Sequence, residues 1–259
     1  MKRIVILSTR GGTGATSVAA NLTSALNAIG QKAHVVDLNP NNLLRLHFAM
    51  PIDDPAGWSH QVLNANSWKN AGYVSNQKIA FVPFGQLDFA QSNQLAAKVD
   101  ALGYQELITP LSDPNDWQLV LLPALEHLTS AHFEFCQSAD LVLCVGKADF
   151  QHYSLLPQSL HFAKLRRYCQ PHLLLNMINP SSENSRDMLL VFQNELQDLV
   201  PVVLHQDTAL DDAILNMMPV LDYAPYSQIA RDFHALAFWC LSRLNQREVK
   251  PNLQNQSNL

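Results

Sequence analysis

Charge is sparse in this sequence. Asp, Glu, Lys and Arg make up 15% of the 259 residues, against 47% hydrophobic, the composition of a well-cored globular chain with a lean surface. No charge sign dominates. The formal net charge is −5 and the pI about 6.0, so bulk charge draws the chain to neither nucleic acid nor acidic lipid. Its one tight basic cluster, Lys164, Arg166 and Arg167, falls on a predicted helix. It reads as a solvated helix face, with a docking patch as the alternative.

Cysteine is scarce. Cys136, Cys144, Cys169 and Cys240 form no Cys-x-x-Cys pair. Three sit in apolar contexts, which predicts buried free thiols in a reducing cytoplasm rather than a disulfide framework or an iron–sulfur site. No apolar run approaches the ~20 residues of a membrane span. The chain opens directly on a predicted strand, with no signal-peptide pattern ahead of it. It shows no internal repeat and no linker. The expectation is one domain over 1–246, followed by a disordered polar tail over 247–259 that lacks the basic amphipathic character of a membrane-binding helix.

What is present centres on one stretch. Ile4-Val5-Ile6-Leu7 is a short, β-branched-rich run, followed by Ser8-Thr9-Arg10-Gly11-Gly12-Thr13-Gly14-Ala15-Thr16-Ser17 and then a helical pattern. Strand, glycine turn and helix in that order make a phosphate cradle. Glycine lets the backbone turn tightly and approach an anion, and the amides of the loop and first helical turn converge on it. The hydroxyls of Thr16 and Ser17 stand where a magnesium ligand belongs, yet Ala15 occupies the position a standard phosphate loop gives to lysine. The alternative is an ordinary glycine-rich strand-to-helix turn.

The remaining chain alternates strand and helix. A helix over Val18–Ile29 stops at Gly30, and a buried strand over Ala33–Asp37 ends in an acid. Asp37-Leu38-Asn39-Pro40 at that carboxyl end is a second candidate site, or else a turn using Asn and Pro. A short helix over Asn41–Phe48 follows, then rough helical spacing over 54–72 anchored by Trp58 and Trp68. Strands are predicted over Ile79–Gly85, Trp117–Pro123, Asp140–Val145, His172–Pro180 and Val202–Leu204. Helices are predicted over Asn93–Leu111, Phe150–Tyr168, Asp187–Leu199, Thr208–Asn216 and Ser227–Leu244. This is an α/β pattern: a mostly parallel sheet covered on both faces. A nucleotide hydrolase places an aspartate at the end of the strand that finishes here in Leu122. Glu126 lies near, at the wrong spacing to substitute directly. Asn176, at the end of its strand, either reads a base edge or satisfies backbone groups.

Arg10–Ser17 resembles the deviant phosphate loop of the MinD/ParA ATPases, and Val36-Asp37-Leu38-Asn39-Pro40 resembles their Asp-x-Asp-Pro switch segment. Within that superfamily the sequence looks most like the BcsQ-type cellulose biosynthesis proteins. That likeness is carried by Asn42–Leu46, Gly57-Trp58, Trp68 with Ala71-Gly72, Pro83-Phe84-Gly85-Gln86-Leu87, His205 with Asp207, and Trp239-Cys240.

The resemblance implies a homodimer that sandwiches ATP with Mg²⁺. In it Arg10 reaches the partner's phosphates, and Gly11, Gly12, Thr13, Gly14, Ala15, Thr16 and Ser17 cradle the phosphates, with Thr16 facing the metal. Asp37 matches the first switch acid and Asn39 the position of the second. Asn176, with His205 and Asp207, matches the base-side positions. It further implies a regulatory accessory role beside the cellulose synthase complex and its small cytoplasmic accessory proteins. Localisation would be cytoplasmic, with recruitment to the inner membrane, including the cell pole, through partners and no nucleic-acid binding. Ala15, Asn39 and Leu122 depart from the hydrolytic pattern. Positioning and electrostatics supply almost all of phosphoryl-transfer catalysis, so the expectation is nucleotide binding with little or no turnover. The alternative is a slow MinD/ParA-type ATPase that positions a cargo or complex in the cell.

Overall fold

In the computed structural model, residues 1–108, 113 and 115–249 are described, the last four by backbone alone. β1 (Lys2–Ser8) leads through the glycine loop into α1 (Ala15–Ala28), then β2 (Ala33–Asp37). α2 (Trp58–Leu63), β3 (Tyr73–Val74), β4 (Ala80–Val82) and α3 (Phe89–Leu107) precede β5 (Trp117–Leu121) and α4 (Ser130–Cys136). β6 (Leu141–Lys147), α5 (Phe150–Gln158), α6 (Leu160–Tyr168), β7 (Pro171–Asn176) and α7 (Glu183–Glu195) follow. α8 (Thr208–Leu215), α9 (Val220–Tyr223) and α10 (Gln228–Val249) close the chain.

Among the described residues the strands form one seven-stranded sheet, ordered β3-β4-β2-β5-β1-β6-β7. Every pairing is parallel except β3 with β4. The continuous hydrophobic runs of the central strands follow from burial on both faces. In β1, Ile4 and Ile6 join a core with α1 and α10, while Val5 and Leu7 join the opposite core with α3, α4, α6 and α7. The loop between β1 and α1 therefore emerges at the carboxyl edge of the sheet, where such sheets bind ligands.

Several elements differ from the sequence pattern. The helix expected over Phe150–Tyr168 is broken at Ser159, whose extended backbone starts α6 while its hydroxyl accepts from Phe162 N at 3.2 Å. Pro157, inside the last turn of α5, lacks the N–H that would continue the ladder. Val202–Leu204 is not a strand. The chain runs beside β7 with bonds from Val200 N to Leu173 O (2.8 Å) and Leu204 N to Leu175 O (2.9 Å), and Pro201 between them has no N–H to pair.

Asn41–Phe48 holds only a 3-10 turn over Leu44–Phe48, because Asn42 takes a left-handed φ of 51°. The 54–72 stretch divides into α2 and a 3-10 turn over Trp68–Ala71. α3 starts earlier than its pattern, at a reciprocal Asp88–Gln91 cap. Its expected end at Leu111 lies outside the described residues. The two-residue β3 was too short to leave a period. α10 runs to Val249, into the expected tail, and 250–259 lie outside the described residues. Cys136, Cys144 and Cys240 are buried, Cys169 is half-buried, and all four are free thiols.

Candidate functional site: the glycine loop and its cleft

Thr9 anchors the loop to the sheet, with N to Val145 O at 2.9 Å and Oγ1 to the same carbonyl at 3.1 Å. Gly12 (φ 80°) and Gly14 (φ 87°) take left-handed conformations that let the chain fold back before α1. A cleft of about 630 Å³ opens over this loop. Its floor is Gly11 to Thr16, one wall is Asn39, Pro40, Asn41 and Leu43, and the other is Pro123, Ala124, Glu126, His127, Thr129 and His132. Among the described residues neither lysine nor arginine lines it. The Thr13 hydroxyl is buried and has no hydrogen-bond partner. A Cβ built on Gly11 or Gly12 would meet nothing within 4 Å, so the space beside these two residues is open.

The sequence-selected residues separate into four groups. Gly11, Gly12, Thr13, Gly14, Ala15, Thr16 and Asn39 meet in the cleft. Arg10 instead lines an adjoining groove of about 820 Å³ with Gln151, Ser154 and Gln158. Its Nε is buried without a partner, and its charge acts on Asp149 and His152.

Ser17 and Asp37 lie behind the cleft. Ser17 Oγ is 3.5 Å from His47 Nε2, and burial lowers His47 to about 4, so this ring is neutral. Asp37 is wholly buried. Its carboxyl accepts from Asn39 N at 2.9 Å and Leu44 N at 3.4 Å. Burial raises it to about 7, against the opposing pull of those two amides. Asn39 Oδ1 in turn accepts from Asn41 N at 3.1 Å. Both side chains thus hold the turn after β2, the structural alternative weighed from the sequence.

The base-side trio is tied into the scaffold. Asn176 Nδ2 donates to Thr13 O at 2.8 Å from beneath the loop. His205 pairs with Asp232, Nδ1 to Oδ2 at 2.8 Å and backbone N to Oδ2 at 2.9 Å. Asp207 accepts from Ala209 N and Ile229 N at 3.0 and 3.2 Å. None of the three lines the cleft.

Leu122 is buried, its N–H on Ile6 O at 2.8 Å. The place of the hydrolytic acid is therefore apolar core. From the sequence Glu126 stood out only as an ill-spaced acid near the strand end, and Thr129 and His132 did not stand out at all. Their only sequence signal was position just after β5, and it took the 3-10 turn Leu125–His127 to swing Glu126 to the loop, where Oε1 accepts from Gly11 N at 3.3 Å.

The residues present fit a magnesium-bound polyphosphate. The space beside Gly11 and Gly12 is open, Thr13 Oγ1 lacks a partner among the described residues, and Thr16 lines the cleft where it would hold the metal. The in-loop cation is missing.

The family described as "Cellulose biosynthesis protein BcsQ" matches residues 1–241. The Salmonella typhi protein of that description is 30% identical over 237 residues, covering 90% of this chain and 91% of the relative. The Pyrococcus furiosus cell division ATPase MinD superposes with a TM-score of 0.71 at 24% identity, covering 93% of this chain and 98% of that one. Cobyrinic acid a,c-diamide synthase from Mycobacterium smegmatis, solved with a bound ATP analog and magnesium, gives 0.73 at 14% identity, covering 95% and 97%. At these identities the structural matches show the fold, that of the MinD/ParA phosphate-loop proteins.

Proposed function

The chain belongs to the BcsQ family of cellulose biosynthesis proteins, and from that premise we propose that it is a regulatory accessory protein that holds Mg-ATP without appreciable hydrolysis. It works as a homodimer docked on the cellulose synthase complex and its small cytoplasmic accessory proteins. Among the described residues no helix is long and apolar enough to cross a membrane, so in this reading membrane recruitment runs through partners.

The observation that carries the reading is a contrast within one site. The glycine loop lies in an open cleft, while the positions for hydrolytic groups hold Ala15, Asn39 and the buried Leu122. Removing one preorganised charge-stabilising group commonly costs ~100-fold in rate. Three such losses leave binding without a cutting step. Gly11 to Ser17 would hold the phosphates, and Thr16 the magnesium, which supplies charge neutralisation of the polyphosphate when bound.

The dimer is supported by Arg10 in its groove beside the cleft, with Leu155 and Leu160 exposed along the groove. There the guanidinium can meet phosphates held by a second copy. A nucleotide bound and not cut stabilises such a dimer by mass action rather than timing its breakup. The test is mass analysis of ligand released on denaturing the purified protein, with a phosphate-release assay alongside. ATP released and no phosphate above background are expected. Clear turnover abolished by Gly14→Pro would instead establish a slow positioning ATPase.

A further inference from the structure

We propose that Glu126 is an internal anion that competes with the terminal phosphate of a nucleotide for the Gly11 amide, and so sets how strongly the loop takes nucleotide up. This rests on the nucleotide-binding reading above. The carboxylate already sits on one of the donors the polyphosphate would use, with Glu126 Oε1 accepting from Gly11 N at 3.3 Å. A carboxylate oxygen and a phosphate oxygen ask the same of a backbone N–H.

Backbone geometry holds Glu126 in this position. Leu125 before it is buried in the core, and the 3-10 turn is closed by His127 N to Ala124 O at 2.8 Å. Glu126 therefore stands on the ridge between the loop cleft and the Arg10 groove, lining both. Arg10 lines the same groove, but no ion pair among the described residues ties it to Glu126. Among the described residues no lysine or arginine lines the cleft, and Glu126 makes no ion pair. In a loop with an in-loop lysine such a carboxylate would find a partner. With Ala15 it meets the incoming polyphosphate as a like charge. The side chain is exposed and has open space around Gly11 to move into, so it can leave when a stronger anion arrives.

The test uses full-length protein stripped of nucleotide, wild type against Glu126→Gln, which keeps the shape and removes the charge. Mg-ATP affinity is measured by calorimetry at two salt concentrations. Glu126→Gln should bind several-fold to about tenfold tighter at low salt, with the ratio narrowing as salt screens the repulsion. Without nucleotide, the Gly11 amide resonance should move in the variant. An equal affinity, or an unmoved Gly11 resonance, overturns the proposal. So does weaker Mg-ATP binding by the variant, which would make Glu126 a partner of the magnesium shell. If wild type binds and the variant merely matches it, the nucleotide-binding reading survives alone. If neither binds at millimolar concentration, both fall.

Discussion

The side-chain amide of Asn176, at the end of β7, donates to the carbonyl of Thr13 at 2.8 Å, joining an outer strand of the sheet to the middle of the glycine loop. The bond satisfies a backbone carbonyl, one of the two roles the sequence left open for Asn176. In this geometry it braces the loop from below.

Asn176→Ala leaves the buried Thr13 carbonyl without this donor. A loss of about 1–3 kcal/mol in stability is expected, read by denaturant unfolding. As a brace, the residue should weaken Mg-ATP and Mg-GTP alike when removed. A selective loss of ATP over GTP would return Asn176 to base recognition.

Gly14 is the neighbour that this brace constrains. Its φ of 87° disfavours any L side chain, and a Cβ there would lie 2.5 Å from Asn176 Nδ2. Gly14→Ala should cost at least ~1–2 kcal/mol from the left-handed backbone alone, and lower nucleotide affinity as the loop shifts. By contrast Gly30→Ala, with a φ of 84° and nothing within 4 Å, should lower the melting temperature by backbone strain and leave nucleotide affinity intact.

A second clasp explains why Pro83-Phe84-Gly85-Gln86 reads so distinctly. Trp58 N and Ser59 N donate to Pro83 O and Phe84 O at 3.0 and 3.1 Å, and a Cβ on Gly57 would fall 2.2 Å from Gly85 N. Trp58 Nε1 also holds the carbonyl of Asp37 at 2.7 Å, so the clasp reaches the cleft wall. Gly57→Ala should destabilise the fold, and Trp58→Ala should cost about 3–5 kcal/mol, both measured by urea unfolding.

Acid should weaken the fold between pH 6.5 and 4. Burial lowers His34, His47 and His132 to about 4, with Arg3 adding to the effect at His34. Unfolded histidine protonates near 6.5. Through that window the unfolded chain gains protons the folded one refuses, so stability is full above 6.5 and declines as pH falls toward 4. Asp37, raised to about 7, acts oppositely, because its folded form takes a proton first and gains stability as pH falls from 7 toward 3.8. Three groups outweigh one, each at roughly 1.4 kcal/mol per pH unit. Asp37→Asn removes the offset and should steepen the acid loss in unfolding curves taken from pH 7 to 4.

The cradle was legible in the sequence because its determinants are local. A β-branched-rich run, three glycines and a helical period specify strand, turn and helix between Ile4 and Ile29, and continuous apolar runs announce strands buried on both faces. Ala15 and Asn39 were legible for the same reason: an absent charge is visible without coordinates. What the tertiary structure decided was long-range. It turned Asn176 under the loop, tied His205 and Asp207 to α10 and its start, and spent Asp37 on its own turn. It also brought Glu126 to Gly11, 115 positions away in the chain. No periodicity encodes those meetings, because they depend on which strands become neighbours and on how a single 3-10 turn is aimed after β5.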